Sequence, residues 1–437
     1  MPITLGCLLT ALVLLNVAAP GGAGKPKREV SAADFYRADD PTCGIQDAID
    51  SLPAGGGVVH IPPGTYTLRR AVEPRSHVTL RGAGPTTTLR RGRQVSAKLT
   101  KPARKGETHV EVDSTAGFRV GDEVGLKDDR MYGWYMGHCV IKKVTPKRLT
   151  FVAPITSGHK EGVFQPERHA VVVNYHPFIH ARKPVRDVAV IDLAIDGNLK
   201  ENPGPWQDFT LAAIHFAHVS DVLVRNVVIR GSISDGISVQ GGRDARVESC
   251  LVERCRSHGL HPGTALRGAV FANNISRNNG GDGLYFCWEV VGITVSGNLL
   301  HANQRSGIGG LGEGGKGGDR FNVVTGNVCR GNGRWGIQAV RGRNNVITSN
   351  VCIDNSQEKP GRYSGIFLGD TTHTLVSSNR CGADAAKPTQ KLGIEEHGKS
   401  DANAIVGNIC EGNVEGGIRA VGKSSQVSAN VGTILRK

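Results

Sequence analysis

The stretch of this 437-residue sequence richest in reactive groups runs from Ser234 to Tyr285. Asp235, His258 and Asp282 each stand immediately before a glycine there, and His261 and Tyr285 stand two residues after one. Carboxylate, imidazole and phenol are groups that enzymes use to move protons, and two chemistries draw on such a set. In glycoside hydrolysis, paired carboxylates act as acid and base, about 6.5–9.5 Å apart for inversion. In β-elimination or C5-epimerisation of a uronic acid, a base takes the proton beside the carboxylate. An acid then serves the leaving oxygen while cations neutralise the carboxylate. Asp235 and Asp282 suit the first scheme, His261 and Tyr285 the second. A structural reading competes with both, because Asp or His before Gly also completes a turn.

These groups meet only if the chain stacks them. The phrases Asp235-Gly-Ile, His258-Gly-Leu and Asp282-Gly-Leu continue as Ser306-Gly-Ile, Trp335-Gly-Ile, Ser364-Gly-Ile, Leu392-Gly-Ile and Gly416-Gly-Ile. A repeat of this period signals a solenoid, and short β-branched runs broken by Gly and Asn make each unit one coil of a parallel β-helix. Equivalent residues on successive coils then lie ~4.8 Å apart, which puts Asp235 and Asp282 ~9.6 Å apart at the backbone. Strand alternation predicts that the column His215, Ser238, His261, Tyr285 faces solvent, and Pro262 holds the backbone of His261 extended. His261, in the middle of the cluster and titrating near neutral pH, is expected to be the central acid/base.

Two further registers are in phase with the first. Cys250, Asn274, Asn298, Asn327, Asn350, Asn379, Asn408 and Asn430 recur at one position, with Asn226 expected one coil upstream. Cys255, Asn279, Asn303, Asn332, Asn355 and Asn413 recur at another. Stacked amides can hydrogen-bond between coils where turns leave backbone groups unpaired. The column Val228, Val252, Ser276, Leu300, Cys329, Cys352, Cys381, Cys410 is expected to point inward. Most cysteines follow this period and read as small buried core residues rather than a disulfide framework.

Taken in order, residues 1–23 read as a secretory signal peptide and 24–38 as a polar linker. Residues 39–95 hold a cap and the first coils. Ile45, Ala48, Ile49 and Leu52 make one apolar helix face, ended by Pro53 and three glycines, and a strand follows over 58–61. The segment from Asp39 to Leu68, DDPTCGIQDAIDSLPAGGGVVHIPPGTYTL, resembles the entry to the pectate-lyase-like (pectin lyase fold) superfamily of right-handed β-helices. There an IQ-x-AID helix precedes a Gly-rich turn and a V-x-IP-x-G-x-Y strand. The resemblance implies an all-β, right-handed parallel β-helix with an N-terminal capping helix, and it implies little about the reaction. Residues 96–162 lose the coil rhythm and read as an inserted small β-subdomain. Its cluster Met131-Tyr-Gly-Trp-Tyr-Met136 is either a sugar-stacking platform or a local core. Coils fill 163–437. The Ser-Asp-Gly, Ser-His-Gly and Gly-Asp-Gly steps loosely resemble polygalacturonases, but the paired Asp step and the Arg-x-Lys step are absent. The Tyr-Gly-x-Asp-Pro-His signature of alginate epimerases is absent too.

Lys and Arg outnumber Asp and Glu by 53 to 39, a formal charge of +14. That balance favours an anionic partner. With a leader, and without basic runs interleaved with aromatics, an acidic polysaccharide is expected rather than nucleic acid. No membrane span remains once the leader is removed, and the chain is expected to be secreted, periplasmic or at the cell surface, as a monomer. The glycine-rich loop from Gly310 to Gly318 lacks the Ser/Thr and helix of a nucleotide-binding loop, so it reads as a substrate rim. His215, Trp288, Glu289, Glu313, Lys316 and Arg334 are the candidate substrate-binding residues. No zinc spacing is present and no cofactor is expected, calcium alone being left open. The sequence thus points to a lyase, glycoside hydrolase or epimerase acting on an acidic glycan. Its rival is a non-catalytic β-helix that binds cell-surface glycan or serves as an envelope or adhesion module.

Overall fold

The fold, obtained as a computed structural model, is described for residues 28–436 apart from 131–135, 157–160, 182, 204–208, 313–317 and 385. Thirty-one strands pair in parallel into one continuous sheet that winds as a right-handed β-helix. Each coil repeats the register of the last: Leu260 pairs with Ile237 below and Leu284 above. The inward residues stack into one core along the axis, from Val59 and Leu80 to Ile405 and Ile418. The apolar helix face is realised as Ile45–Ser51, whose Ile45, Ala48 and Ile49 close the N-terminal end of that core.

The repeated glycine is required by close approach. A Cβ on Gly259 would lie 2.0 Å from Ser276 Oγ and 2.8 Å from the Gly283 carbonyl oxygen on the next coil. Any side chain there would force adjacent coils apart.

The asparagine ladders answer a specific demand. The residue before each rung has positive φ: Asn273 (56°), Gly297 (64°), Gly326 (65°), Ser349 (57°) and Ser378 (55°). Such a turn leaves the rung's own N–H and a neighbouring carbonyl without strand partners, and a carboxamide supplies both an acceptor and donors. Asn327 Oδ1 accepts the backbone N–H of Asn298 at 3.0 Å and its Nδ2 at 2.9 Å. Asn327 Nδ2 donates to the Val295 carbonyl at 2.9 Å. In the second ladder Gln390 fills the rung between Asn355 and Asn413. A third ladder runs through Asn322 and Asn345 and resumes at Thr374, Asn403 and Ser425.

Two expected rungs are displaced by one residue. Ile229, not Val228, pairs with Val252 and is buried. Asn226 lies outside the ladder, exposed, and donates to Asp192 Oδ1 at 3.0 Å. The coil below Cys250 is one residue shorter than the two directly above it, which moves Val227 into the rung position.

Where the rhythm is lost, Ser96–Lys98, His109–Glu111, Glu123–Lys127, Gly137–Thr145, Arg148–Phe151 and Val171–Val173 form an antiparallel sheet. It has its own core, including Val110, Leu126, Leu149 and Phe151. Of the aromatic cluster only Met136 lies among the described residues. It packs with Leu211 and Ile233 of the helix.

Replacing Asn327 with Ala strips Asn298 of its acceptor and Val295 of its donor. This should lower stability by about 1–3 kcal/mol, read as a fall in the denaturant midpoint, whereas Asn226→Ala should move it little. Equal midpoints for both variants would show that the ladder does not carry stability.

Candidate functional site

The residues before the repeated glycines form a polar ladder of their own. The N–H of His258 donates to Asp235 Oδ1 at 2.9 Å, and that of Asp282 donates to His258 Nδ1 at 3.0 Å. The N–H of Ser306 donates to Asp282 Oδ1 at 2.7 Å. The turn-completing reading is therefore correct for one atom of each side chain. The other atom is left for the site. Asp235 Oδ2 lies 2.7 Å from His261 Nδ1. Asp282 Oδ2, fully buried and without a hydrogen bond, lies 3.2 Å from His258 Nδ1 and 3.6 Å from Arg305 Nη1.

This geometry sets the charges. Burial opposes ionisation of Asp235, but the charge and hydrogen bond of His261, together with His258, outweigh it and hold the carboxyl well below its usual range. Burial likewise opposes the His261 cation, and Asp235 outweighs it, pushing the imidazole up to about 9. Asp282 is also held low, burial being outweighed by His258, Arg305 and the Ser306 amide. One contact works the other way on His261. Gln240 accepts the Thr264 N–H at 3.0 Å and so turns its NH₂ toward His261 Nε2, 3.3 Å away. That orientation suits a ring whose Nε2 carries a lone pair.

The His261 column does not face open solvent. His261 is 4 % exposed and His215 3 %, because the turn Phe209–Leu211 covers the strand. The Phe209 ring lies 6.1 Å from that of His261 and 5.9 Å from that of His215. What remains open is a cleft of about 560 Å³ lined by His258, His261, Tyr285, Trp288, Arg256 and Arg305, among others. Tyr285 stacks on His258 at 4.3 Å and meets His261 edge-on at 5.1 Å.

Asp235, His258, His261, Asp282 and Tyr285 are thus brought together, and Trp288 borders them. His215 is buried under Phe209, and Glu289 is not part of the cleft wall. Arg334 is turned to Glu358, Nε to Oε2 at 2.8 Å. Glu313 and Lys316 lie outside the described residues. Arg256, Arg305, Gln240 and Cys287 belong to the site, and sequence reasoning passed over them. Arg256 and Arg305 come one and two residues after the rungs Cys255 and Asn303, and Cys287 stands off the inward column, which was the available signal. Among the described residues no group of three or more His, Cys, Asp or Glu side chains is placed to hold a metal ion. Further along the same face an aromatic stripe continues, with Trp335 4.6 Å from Tyr363 and 5.3 Å from Phe367.

Solved structures share this architecture. The A-module of the mannuronan C-5 epimerase AlgE6 of Azotobacter vinelandii superposes with a TM-score of 0.58 at 17 % identity, over 92 % of this chain and 98 % of that one. The Dettilon tailspike protein gives 0.56 at 13 % identity over 94 % and 68 %. PfbA, a surface adhesin of Streptococcus pneumoniae, gives 0.53 at 13 % over 90 % and 86 %. At these identities the likeness concerns the fold. No curated protein matches the chain in sequence. The family described as "Right handed beta helix region" matches residues 212–310 and 291–433, a span of half the chain, and the protein belongs to that family.

Proposed function

We propose that this chain is an exported enzyme acting on a uronic-acid polysaccharide. It would remove the proton beside the sugar carboxylate, the step shared by β-elimination and C5-epimerisation. The observation that carries the reading is the buried Asp235–His261 pair, 2.7 Å apart, in a cleft lined by Arg256 and Arg305. With Nδ1 held by Asp235, Nε2 is the nitrogen left to exchange a proton. The two guanidiniums supply what the abstraction needs electronically, since positive charge at the carboxylate stabilises the negative charge that develops on it. Arg256 Nη2 donates to the Asn202 carbonyl at 3.4 Å and Arg305 Nη1 stands 3.6 Å from Asp282 Oδ2, contacts that hold both guanidiniums at the cleft wall. Tyr285, packed against both imidazoles, is placed to hand a proton to the leaving oxygen or to the opposite face of the sugar. The stripe from Trp335 to Phe367 offers flat apolar faces for further sugar rings. A fold shared with a mannuronan epimerase module accords with such a substrate. Hydrolysis by the carboxylate pair has less support. Asp235 has both oxygens engaged, and Asp282 is fully buried.

His261→Ala should lower turnover of polyuronate by about 10²–10⁴-fold, measured below its melting temperature, which should itself fall because Asp235 loses its buried partner. Near-wild-type turnover would remove His261 from the mechanism. Appearance of the unsaturated uronate chromophore would identify elimination, and exchange of solvent deuterium into C5 without chain cleavage would identify epimerisation. Binding with neither outcome would favour the adhesion reading.

The pH dependence follows from Asp235. If neutral His261 is the base, kcat/KM should rise with pH through about 9. In Asp235→Asn the carboxylate that raises the imidazole is gone, so that limb should move down by about 1–3 units. A limb that stays in place would show that His261 is not the titrating base.

Binding of polyuronate should weaken as ionic strength rises through the physiological range, where the Debye length is about 8 Å. Equal, salt-independent binding of a neutral glucan would reject the acidic substrate.

A further inference from the structure

Eight of the nine described cysteines are buried, all but Cys287. Cys287 forms part of the cleft wall and is only half-buried. Its sulfur lies 3.3 Å from the hydroxyl of Thr264, and it shares the cleft wall with the imidazole of His261. Asp235 holds the other side of that imidazole at 2.7 Å. A nucleophile beside a base that is itself oriented by a third group is the arrangement that activates a thiol. We propose that Cys287, His261 and Asp235 form a thiol–imidazole–carboxylate triad that removes O-acyl groups from the bound glycan. The assignment of a glycan as the acyl carrier rests on the function proposed above.

The electrostatics separate this thiol from the buried Cys250 and Cys255 on neighbouring coils. Burial pushes Cys250 and Cys255 up to about 12. Burial also opposes ionisation of Cys287, but the hydrogen bond and charge of His261, with Thr264, outweigh it and bring the thiol below its ordinary value. A thiolate beside an imidazolium is the reactive pair.

The chemistry closes without an added oxidant or cofactor. The Cys287 sulfur attacks the ester carbonyl, forming an S–C bond as the C–O bond to the sugar breaks. The sugar oxygen leaves with the proton from His261. Water then attacks the thioester and gives a proton to His261, the S–C bond breaks, and the carboxylic acid departs. Uronic-acid polymers that carry such esters would be both deacylated and processed in one cleft.

The test uses the full chain and p-nitrophenyl acetate as the probe. A burst of about one equivalent of nitrophenolate is expected, with one acetyl group mapped to Cys287 by mass spectrometry. The burst rate should fall about 10²–10⁴-fold in His261→Ala, and the adduct should vanish in Cys287→Ser. Because either variant can misfold, alkylation of wild-type Cys287 by iodoacetamide is followed against pH as well. Its half-maximal rate is expected below the ordinary thiol value of about 8.5. Acetate release from an O-acetylated polyuronate should accompany the acyl-enzyme. If Cys287 is no more reactive than the buried cysteines while wild-type protein turns over polyuronate, the triad is overturned and the function proposed above stands. If acetyl-Cys287 forms while wild-type protein neither binds nor turns over polyuronate, the glycan assignment is overturned instead.

Discussion

Each coil turns through residues in the left-handed region of backbone space, and the backbone groups stranded by those turns have to be paired inside the molecule. That requirement organises the structure. An N–H or carbonyl left unpaired in a buried turn costs about 1–3 kcal/mol, and the demand recurs at every coil. Asparagine meets it because one side chain accepts from the coil below and donates back to a carbonyl there, as Asn298 does toward Asn274 and Phe271. Parallel strands a single spacing apart then follow, and glycine at the closest approach keeps that spacing. The site is built on the same device. Asp235, His258 and Asp282 occupy rungs of a ladder in which each accepts an amide N–H from the next coil. Ionisable groups are thereby fixed by the same bonds that hold the coils together.

The inserted sheet supports the cover over the site. Met136 packs on Leu211, and His138 lies 3.0 Å from the Thr210 hydroxyl, so the turn carrying Phe209 is braced from outside the helix. The base of the insertion is clamped by Arg91. This arginine is fully buried, lies over the rings of Phe178 at 4.8 Å and Tyr175 at 5.7 Å, and donates to the His176 carbonyl at 2.5 Å. Burial draws it down to about 10, which leaves it charged throughout the physiological range. A buried cation with aromatic faces and a carbonyl around it ties the outgoing strand to the returning chain. The cover over His261 is therefore a tertiary feature, set by a segment far away in sequence.

That division explains what the sequence disclosed. The period is local and repeated, so the coils, the ladders and the stacking of Asp235, His258, His261, Asp282 and Tyr285 could be read from spacing alone. Errors arose where the period changes length. The shorter coil below Cys250 displaced the expected rungs by one residue, and Gln390 took a rung that an asparagine count would leave empty. The solvent-facing reading of His261 failed because Phe209 arrives from a non-repetitive turn. Arg256 and Arg305 follow ladder rungs, where nothing local distinguishes a cleft-lining arginine from any other surface one. Arg334 shows the converse, since it follows a rung too but is drawn to Glu358.

Asp235 joins the structural and chemical levels, and its two oxygens carry different duties. Oδ1 serves the ladder through the His258 amide, and Oδ2 sets the state of His261. The linkage signs can be followed for each group. His261 is raised in the folded protein, so its contribution to stability is complete below the ordinary imidazole value of about 6.5 and is lost as pH rises through about 9. Asp235 is lowered, so its contribution is present above the ordinary value of about 3.9 and is lost as pH falls toward its depressed one. Between these limits the ion pair is intact, and the protein is most stable with His261 protonated. A proton-abstracting role needs that ring neutral, so the same pairing that fixes the base also opposes its working state. Gln240, with its NH₂ turned toward Nε2 by the Thr264 amide, is the contact that favours the neutral ring. The balance between Asp235 and Gln240 therefore decides the pH at which His261 can accept a proton, and both are positioned by coil-to-coil hydrogen bonds.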